Sequence, residues 1–493
     1  MVDTQTSKSS LVAQLLSGSL WVMGSHVAVL GFVFFAQRII LTELTPEQNG
    51  TLFLERRLTE LFVGLIADFG MNGLVLRRAS QERERLVEIV SSALWFRLIL
   101  WSVTSLAAVG YVISIGGPVL DVAMWSLFML IASRTTLIRY TLEIQHRAHS
   151  RFMLPSLVAI LDGALFFLGI WWFRESCTPT NVIAIFLLSA IPGFVIIAGI
   201  GGGRALLPSN ARIHEMRAIA VQSLPLILYV VLWGFQDKID AAILEMFAAR
   251  ADVGVLGAAY TSLGPLVAFL PQTLAMVVLP EIARHMKLEQ NKAFEIISGL
   301  LRLTLVITTV MAAVAILVLP MYMEFVSGGR YTGFAYVFEA FLWTAPCIGI
   351  MACSQEVLVA MGQQRQTVRI AVVMVVCTIL GGLALVPVYH VGGSIISRVV
   401  ASLAGALAAA ILVVRAMGHN LSLAFVLRVV IFVVSSVLAV KAAQWMIALG
   451  YIHASLAAII LGLGLVALAT ALRFINYHEW VLVRNVILRR GTQ

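Results

Sequence analysis

The chain has 493 residues, of which 60% are apolar and only 12% charged, and its mean hydropathy is +0.96. A soluble globular protein carries about 25% charged and 45–50% apolar residues, so composition excludes a water-soluble enzyme, a disordered chain and a disulfide-stapled secreted domain. The net charge of +9 comes from 34 Lys and Arg against 25 Asp and Glu; in a membrane chain such an excess belongs first to cytoplasmic loops rather than to a nucleic-acid surface.

The N-terminus has a short polar lead, Met1 to Ser10, followed by a long apolar stretch from Leu11. That stretch is too long for a signal-peptide core and reads as a permanent first helix. At about 20 residues per span, hydropathy predicts fourteen membrane helices at 11–39, 51–75, 88–114, 120–145, 153–173, 181–201, 218–247, 255–281, 297–320, 336–360, 368–387, 391–414, 425–446 and 453–472. No run of short alternating segments, as a membrane β-barrel would need, is present. An even number of spans puts both termini on one side. Twenty basic residues then fall in the loops and tails of that side, against Arg174, Arg250 and Arg330 on the other, which predicts cytoplasmic termini. The stretch 202–216, with Gly202, Pro208, Ser209 and Asn210, reads as a linker between two halves. The expected organisation is an N-terminal lobe over 1–203, a linker over 204–216, a C-terminal lobe over 217–415, two further helices over 416–474, and a tail over 475–493. In the tail, apolar Trp480, Leu482 and Ile487 alternate with Arg484, Arg489 and Arg490, the pattern of a helix lying on the inner surface. The four cysteines, Cys177, Cys347, Cys353 and Cys377, form no C-x-x-C pair and read as packing residues.

The halves echo one another. LTPEQNGTLFL around Gly50 parallels FAARADVGVLGAAY around Gly254, and HRAHSRF with Arg151 parallels MGQQRQT with Arg365. With six helices in each half, the two copies share one topology, and Gly50 and Gly254 read as the turns that repeat and gate.

Several segments carry a resemblance in their order and spacing. AQRIILTELTPEQNGTLFL is followed by LIADFGMNGLVLRR; Asp240 stands fourteen residues before Gly254; then come FVSGGRYTGFAYVFEAF, MGQQRQ and LVPVYHVGGSIISRVVAS. Over residues 11 to 415 the chain resembles the polysaccharide (O-antigen type) flippases, of the superfamily that also holds lipid II flippases and multidrug/toxin extruders. Where that family often has Tyr soon after the glycine at this junction, Val255 and Leu256 follow here and Tyr260 comes later. The resemblance implies an all-α membrane protein of about fourteen helices, with two six-helix lobes in a V shape and two extra C-terminal helices. It also implies a cavity lined by helices one, two, seven and eight, and a groove for a lipid tail added by helices thirteen and fourteen.

Ionisable residues inside the spans are informative whatever the family, because a charge at the bilayer centre costs about 2.5–3.5 kcal/mol on insertion scales. Arg56 and Glu60 are four apart on the second helix and Arg139 and Glu143 four apart on the fourth, a spacing that allows pairing. Gln236 and Asp240 share a face of the seventh helix, with Asp237 and Lys238 between them. Arg97, Arg134, Lys238 and Arg398 have no acid three or four residues away on their own helices. With Arg56 and Arg57 they are expected to line a water-filled basic cavity suited to a pyrophosphate, which guanidinium groups grip in bidentate fashion. Glu60, Asp68, Asp237 and Asp240 are candidates for binding a coupling proton or sodium ion, or for simple salt bridges. No Walker loop, H-E-x-x-H or G-x-S-x-G motif is present, so neither catalytic residues nor a metal or cofactor is expected.

The function expected from the resemblance and the buried charge is that of a transporter, not an enzyme, in the bacterial inner membrane. It would flip an undecaprenyl-pyrophosphate-linked oligosaccharide from the cytoplasmic to the outer leaflet by alternating access, for surface polysaccharide export. Its partners would be that lipid-linked substrate, membrane lipid, and a polysaccharide polymerase with other assembly proteins; nucleic acid is not expected, and a monomer is. The alternatives are a multidrug/toxin extruder or a lipid II flippase of the same superfamily and, from another class, a polysaccharide polymerase or ligase. The last needs a large outer loop, and no connection between the predicted spans is long enough.

Overall fold

In the computed structural model, residues 3–114, 116–132, 137–149, 151–268, 290–361, 363–418 and 423–474 are described. Among them there is no strand. The helices are α1 Asp3–Glu43, α2 Pro46–Thr59, α3 Leu65–Asp68, α4 Asn72–Gln81, α5 Leu86–Ser114, α6 Val119–Ile131, α7 Ile138–Ala148, α8 Met153–Trp172, α9 Pro179–Ile197, α10 Gly203–Leu206 and α11 Ile213–Phe247. They continue with α12 Arg250–Ala268, α13 Gln290–Ser327, α14 Ala335–Leu342, α15 Ala345–Ala360, α16 Gln364–Tyr389, α17 Val391–Ala416, α18 Leu423–Ala448 and α19 Ala454–Ala471. The protein is an all-α membrane protein. Large apolar side chains such as Leu106, Leu380, Leu403 and Leu463 are exposed on its helices, as lipid-facing surfaces require. The expected surface helix over 475–493 lies outside the described residues.

Eleven helical segments among the described residues are long and apolar enough to cross a membrane. The expected spans 51–75, 120–145 and 218–247 are absent from that set, and these three hold Arg56, Arg57 and Glu60, then Arg139 and Glu143, then Lys238 and Asp240. Only the 255–268 part of the expected eighth span is described. The second span is not one helix. Thr45 opens it with a capping box: its hydroxyl accepts from the Gln48 amide at 3.3 Å and Gln48 Oε1 accepts from the Thr45 amide at 3.0 Å, while Pro46 takes the first helical position, where a missing N–H costs nothing. A π-helical turn runs over Glu60–Gly64. The helix then stops at Asp68, where Phe69 (φ 51°) and Gly70 (φ 65°) are left-handed, before α4 restarts at Asn72.

Contacts divide the chain into two compact units, Met1–Glu245 with Ala249–Gly257, and Met246–Ala248 with Ala258–Gln493. The expected linker over 204–216 therefore falls inside the first unit, and nearly all of α11 groups with α1–α10. The reason is specific contact, since Glu215 at its start and Gly234 and Lys238 further along all meet residues of that unit. The core of the first unit includes an aromatic layer in which Trp125 and Phe128 of α6 meet Phe186 of α9, and Phe166 of α8 stacks on Phe186 at 4.0 Å. Between α8 and α9, burial and then the Glu43 carboxylate push the Cys177 thiol up to about 11, which leaves it an inert packing residue. In the second unit α16 and α17 form a hairpin, and α18 and α19, the two extra helices, pack on α13 through Leu305, Val306, Phe432 and Phe474.

Gly50 and Gly254 are not turns. Each lies in the first part of a helix, α2 or α12, and within the first unit the two face each other. A Cβ on Gly50 would stand 2.0 Å from the Arg250 carbonyl oxygen, and one on Gly254 would stand 1.9 Å from the Pro46 carbonyl oxygen. Asn49, 2% exposed, donates to the Gly254 carbonyl at 2.7 Å. The two repeat-related glycines thus form one backbone-to-backbone contact that admits no side chain. Gly50→Ala and Gly254→Ala should each lower stability by about 1–3 kcal/mol or more, whereas Gly31→Ala, with nothing within 4 Å of its Cβ, should leave it unchanged. Thermal unfolding of the purified protein, followed by loss of monodispersity, distinguishes these outcomes.

Candidate functional site

The broken second span brings three cations to one carboxylate. Arg56 Nε donates to Glu60 Oε1 at 2.9 Å, Arg57 Nη1 lies 3.6 Å from Glu60 Oε2, and Lys238 Nζ lies 3.5 Å from the same oxygen. The Arg56 pairing follows from the i, i+4 spacing within the helix. Lys238 arrives from α11, which comes close because Gly234, one turn earlier, has no side chain: a Cβ there would stand 2.2 Å from the Leu65 side chain. Glu60 itself begins the π-helical turn, a distortion frequent at functional positions. Aromatic faces hold the guanidinium groups from behind. Arg56 stands 5.9 Å from the ring centres of both Trp125 and Phe186, and Arg57 stands 5.0 Å from that of Phe53, distances that allow cation–π attraction.

Three positive groups thus converge on Glu60. Accessibility within the cluster is graded, since the Arg56 side chain is 37% exposed and those of Arg57 and Lys238 14% each. Such an arrangement has the chemistry to hold an anion: two guanidinium groups offer planar N–H donors and Lys238 a compact point charge. Gln236 and Asp240, expected on one face of α11, are both buried. Asp240 Oδ1 accepts from the amide of Ala241 at 2.8 Å. Arg134 and the Asp237 side chain lie outside what is described.

Arg97 does not belong to this site. It is completely buried in a neutralised cluster, with Nη2 donating to Asp68 Oδ1 at 3.1 Å and to Asn72 Oδ1 at 2.5 Å, and Nη1 donating to the Leu137 carbonyl at 3.3 Å and to the Thr141 hydroxyl. Of the two roles open to Asp68, the salt bridge is the one seen, and the Asn72 amide adds a bond to the same oxygen at 2.8 Å. The cluster stitches the left-handed break at Phe69–Gly70 to α5 and α7. A fully buried guanidinium without such partners is too costly to retain. Arg139 is likewise buried and pairs with Asp162 of α8 and with Glu143 at 3.4 Å, while Arg147 takes the other Glu143 oxygen at 2.8 Å. Gly193 leaves room for the Arg139–Asp162 pair, because a Cβ there would stand 2.2 Å from Asp162 Oδ1. Arg398 stands in the second unit, 6% exposed, with its guanidinium 4.7 Å from the ring centre of Tyr260 and with buried Ser394 and Ser402 on the same face of α17.

Sequence reasoning missed one cluster altogether. Glu215, at the start of α11 and 2% exposed, receives Arg78 at 2.5 Å and Arg85 at 2.9 Å, and Arg85 also pairs with Glu82 and Glu88. The signal was the ladder Arg78, Glu82, Arg85 and Glu88 at i, i+3 and i, i+4 spacings. Glu88, His214 and Glu215 place ligand atoms close enough for a metal ion, but Arg85 already engages both carboxylates.

No family model matches the chain and no curated protein matches it. Solved structures do. A lipid II flippase, MurJ, in an inward closed conformation aligns with a TM-score of 0.69 at 13% identity, covering 94% of this chain and all of that one. An inward-facing multidrug resistance transporter of the MATE family, in the MOP superfamily, aligns with a TM-score of 0.63 at 13% identity over 79% of this chain and 94% of that one. A MOP superfamily transporter from Pyrococcus furiosus, described as having a binding pocket of reverse polarity, aligns with a TM-score of 0.51 at 12% identity over 82% and 94%. The chain therefore has the two-lobed fold shared by flippases and exporters of that superfamily.

Removing a partner from a buried ion pair costs about 3–5 kcal/mol. Arg97→Ala should therefore lower stability by that order, and Asp68→Asn by less, because Asn72 and Thr141 still face the guanidinium. Denaturation midpoints in detergent, compared with those of Arg56→Ala, check this: the half-exposed Arg56 should cost less than about 1 kcal/mol.

Proposed function

We propose that this protein is a flippase of the polysaccharide (O-antigen) type. It moves an undecaprenyl-pyrophosphate-linked oligosaccharide from the cytoplasmic to the outer leaflet of the bacterial inner membrane by alternating access, with both termini cytoplasmic. The observation that carries this reading is the convergence of Arg56, Arg57 and Lys238 on Glu60, with Arg56 partly open, within a transporter fold. A pyrophosphate with sugars attached cannot enter hydrocarbon unaided, because its polar groups lose water and gain nothing. A cationic cluster at membrane depth supplies replacement partners, and Glu60 keeps the three cations from repelling one another while the site is empty. Coupling to a proton or sodium ion supplies the drive, and a polysaccharide polymerase with other assembly proteins receives the product. The protein works as a monomer on membrane lipid, and needs neither a cofactor nor a nucleic-acid partner.

A second reading, a lipid II flippase, draws support from the full-length alignment with MurJ. A multidrug extruder shares the fold, but three converging cations suit an anionic substrate better than the cationic compounds such a protein would carry.

Deleting the gene should cause lipid-linked repeat units of a surface polysaccharide to accumulate on the cytoplasmic face while cell-wall synthesis continues. Accumulation of lipid II instead would favour the second reading. In the complemented deletion strain, Arg56→Ala, Arg57→Ala and Lys238→Ala should each reduce surface polysaccharide about tenfold or more while inserting normally, since a charge-assisted hydrogen bond is worth about 1.5–3 kcal/mol. Normal export by all three would remove the basis of the anion-site reading.

A further inference from the structure

Between α10 and the first turn of α11, side-chain chemistry and exposure disagree. The backbone of this stretch is fixed. Ser91 and Ser92 of α5, both fully buried, bind it: the Ser91 hydroxyl donates to the Leu207 carbonyl at 3.3 Å, and the Arg212 amide donates to the Ser92 hydroxyl at 3.0 Å. The Asn210 side chain donates to the Arg204 carbonyl at 2.6 Å, and Ala205 and Ile219 belong to the core beside Ile89 and Val90. Yet this anchored segment holds Leu207 52% and Ile213 84% exposed. Water is a poor environment for two large apolar groups on a backbone that cannot turn them away.

Two features say what covers them. The first is continuity. Ile213, Arg217, Val221, Leu224 and Leu228 fall at i, i+4, i+8, i+11 and i+15, one face of α11. All five are exposed, those at 221, 224 and 228 by more than half. Glu215, Ile219 and Ser223, on another face, are buried. An apolar stripe of that length belongs against hydrocarbon, and Ile213 with Leu207 extends it past the helix start. The second feature is charge. Arg204, Arg212 and Arg217 are exposed, and none forms an ion pair among the described residues. The one acid of 203–217 is Glu215, which is buried and held by Arg78 and Arg85. Glu82 and Glu88 are paired with Arg85 as well. Three exposed guanidinium groups therefore flank the apolar pair along the chain, while the carboxylates nearby are committed to Arg78 and Arg85.

We propose that residues 204–217 form a docking surface for anionic lipid headgroups, with Leu207 and Ile213 inserted at the acyl boundary and Arg204, Arg212 and Arg217 against the phosphates. Lipid fits this face better than a protein partner does, because the face runs directly into the apolar stripe of α11. A basic residue at a negatively charged leaflet is worth a factor of about five, and an arginine stem lies along apolar surface while its head reaches the phosphates. On the proposed orientation this is the cytoplasmic leaflet. The proposal rests on the membrane class of the chain and not on its substrate. Anchoring here fixes, relative to the bilayer, the start of the helix that carries Lys238 to Glu60.

The test uses the full-length protein in lipid nanodiscs that contain a small fraction of phosphatidylglycerol or of phosphatidylcholine bearing a photoactivatable group near the headgroup. After irradiation and digestion, mass spectrometry reads lipid adducts on residues 204–217. The anionic probe should label this segment about fivefold or more over the zwitterionic one. Arg204→Gln, Arg212→Gln and Arg217→Gln together should bring the two probes to parity while insertion and monodispersity are unchanged. Leu207→Ser with Ile213→Ser should reduce labelling by both probes. Arg174→Gln, on the connection between α8 and α9, should change neither. Equal labelling of the wild type by the two probes, no adduct on 204–217, or a preference that survives the triple substitution overturns the proposal. So does labelling that is present in nanodiscs but lost in native membranes, where a protein partner would then hold the face. The export assay with Arg56→Ala, Arg57→Ala and Lys238→Ala does not read these adducts, so failure of the anion site and failure of the lipid surface are told apart.

Discussion

Three cations converging on Glu60 set the terms for the rest of the first unit. Charge at membrane depth is tolerated only where partners replace hydration, so all three cations share the Glu60 carboxylate and the two guanidinium groups also lie near aromatic rings. The local backbone is shaped accordingly. The second span is interrupted by a π-helical turn beginning at Glu60, and Gly234 lets α11 approach Leu65 closely enough for Lys238 to reach the same carboxylate.

The other intramembrane charges show what the cluster is not. Arg97 with Asp68, and Arg139 with Asp162 and Glu143, are buried and matched by carboxylates and neutral acceptors. They join segments that a continuous apolar helix would not hold in place, including the left-handed break at Phe69–Gly70. Matched pairs serve as structure. The Glu60 cluster differs from them in bringing three cations to one carboxylate with the Arg56 side chain 37% exposed.

The Gly50–Gly254 contact gives the internal repeat a physical meaning. Two helix starts related by the repeat meet backbone to backbone, held by the Asn49 bond to the Gly254 carbonyl. Such a contact is all-or-none, because any side chain at either position would intrude on a carbonyl oxygen. The two similar helix starts thus meet one packing requirement from both sides.

The sequence by itself determined the all-helical membrane class, most of the apolar spans and the Arg56–Glu60 and Arg139–Glu143 pairs, because hydropathy accumulates over about twenty residues and i, i+4 spacing is a property of a single helix. The same spacing rule was available in the Arg78–Glu88 ladder, although its convergence on Glu215 was not. Only the tertiary structure decided that Arg97 is neutralised by Asp68, that Lys238 joins Glu60, that Asp162 completes the Arg139 pair, and that Gly50 meets Gly254. Each of those contacts depends on which faces of separate helices meet, a choice governed by packing at positions such as Gly234 and Gly193 and not recorded in the spacing along any one helix.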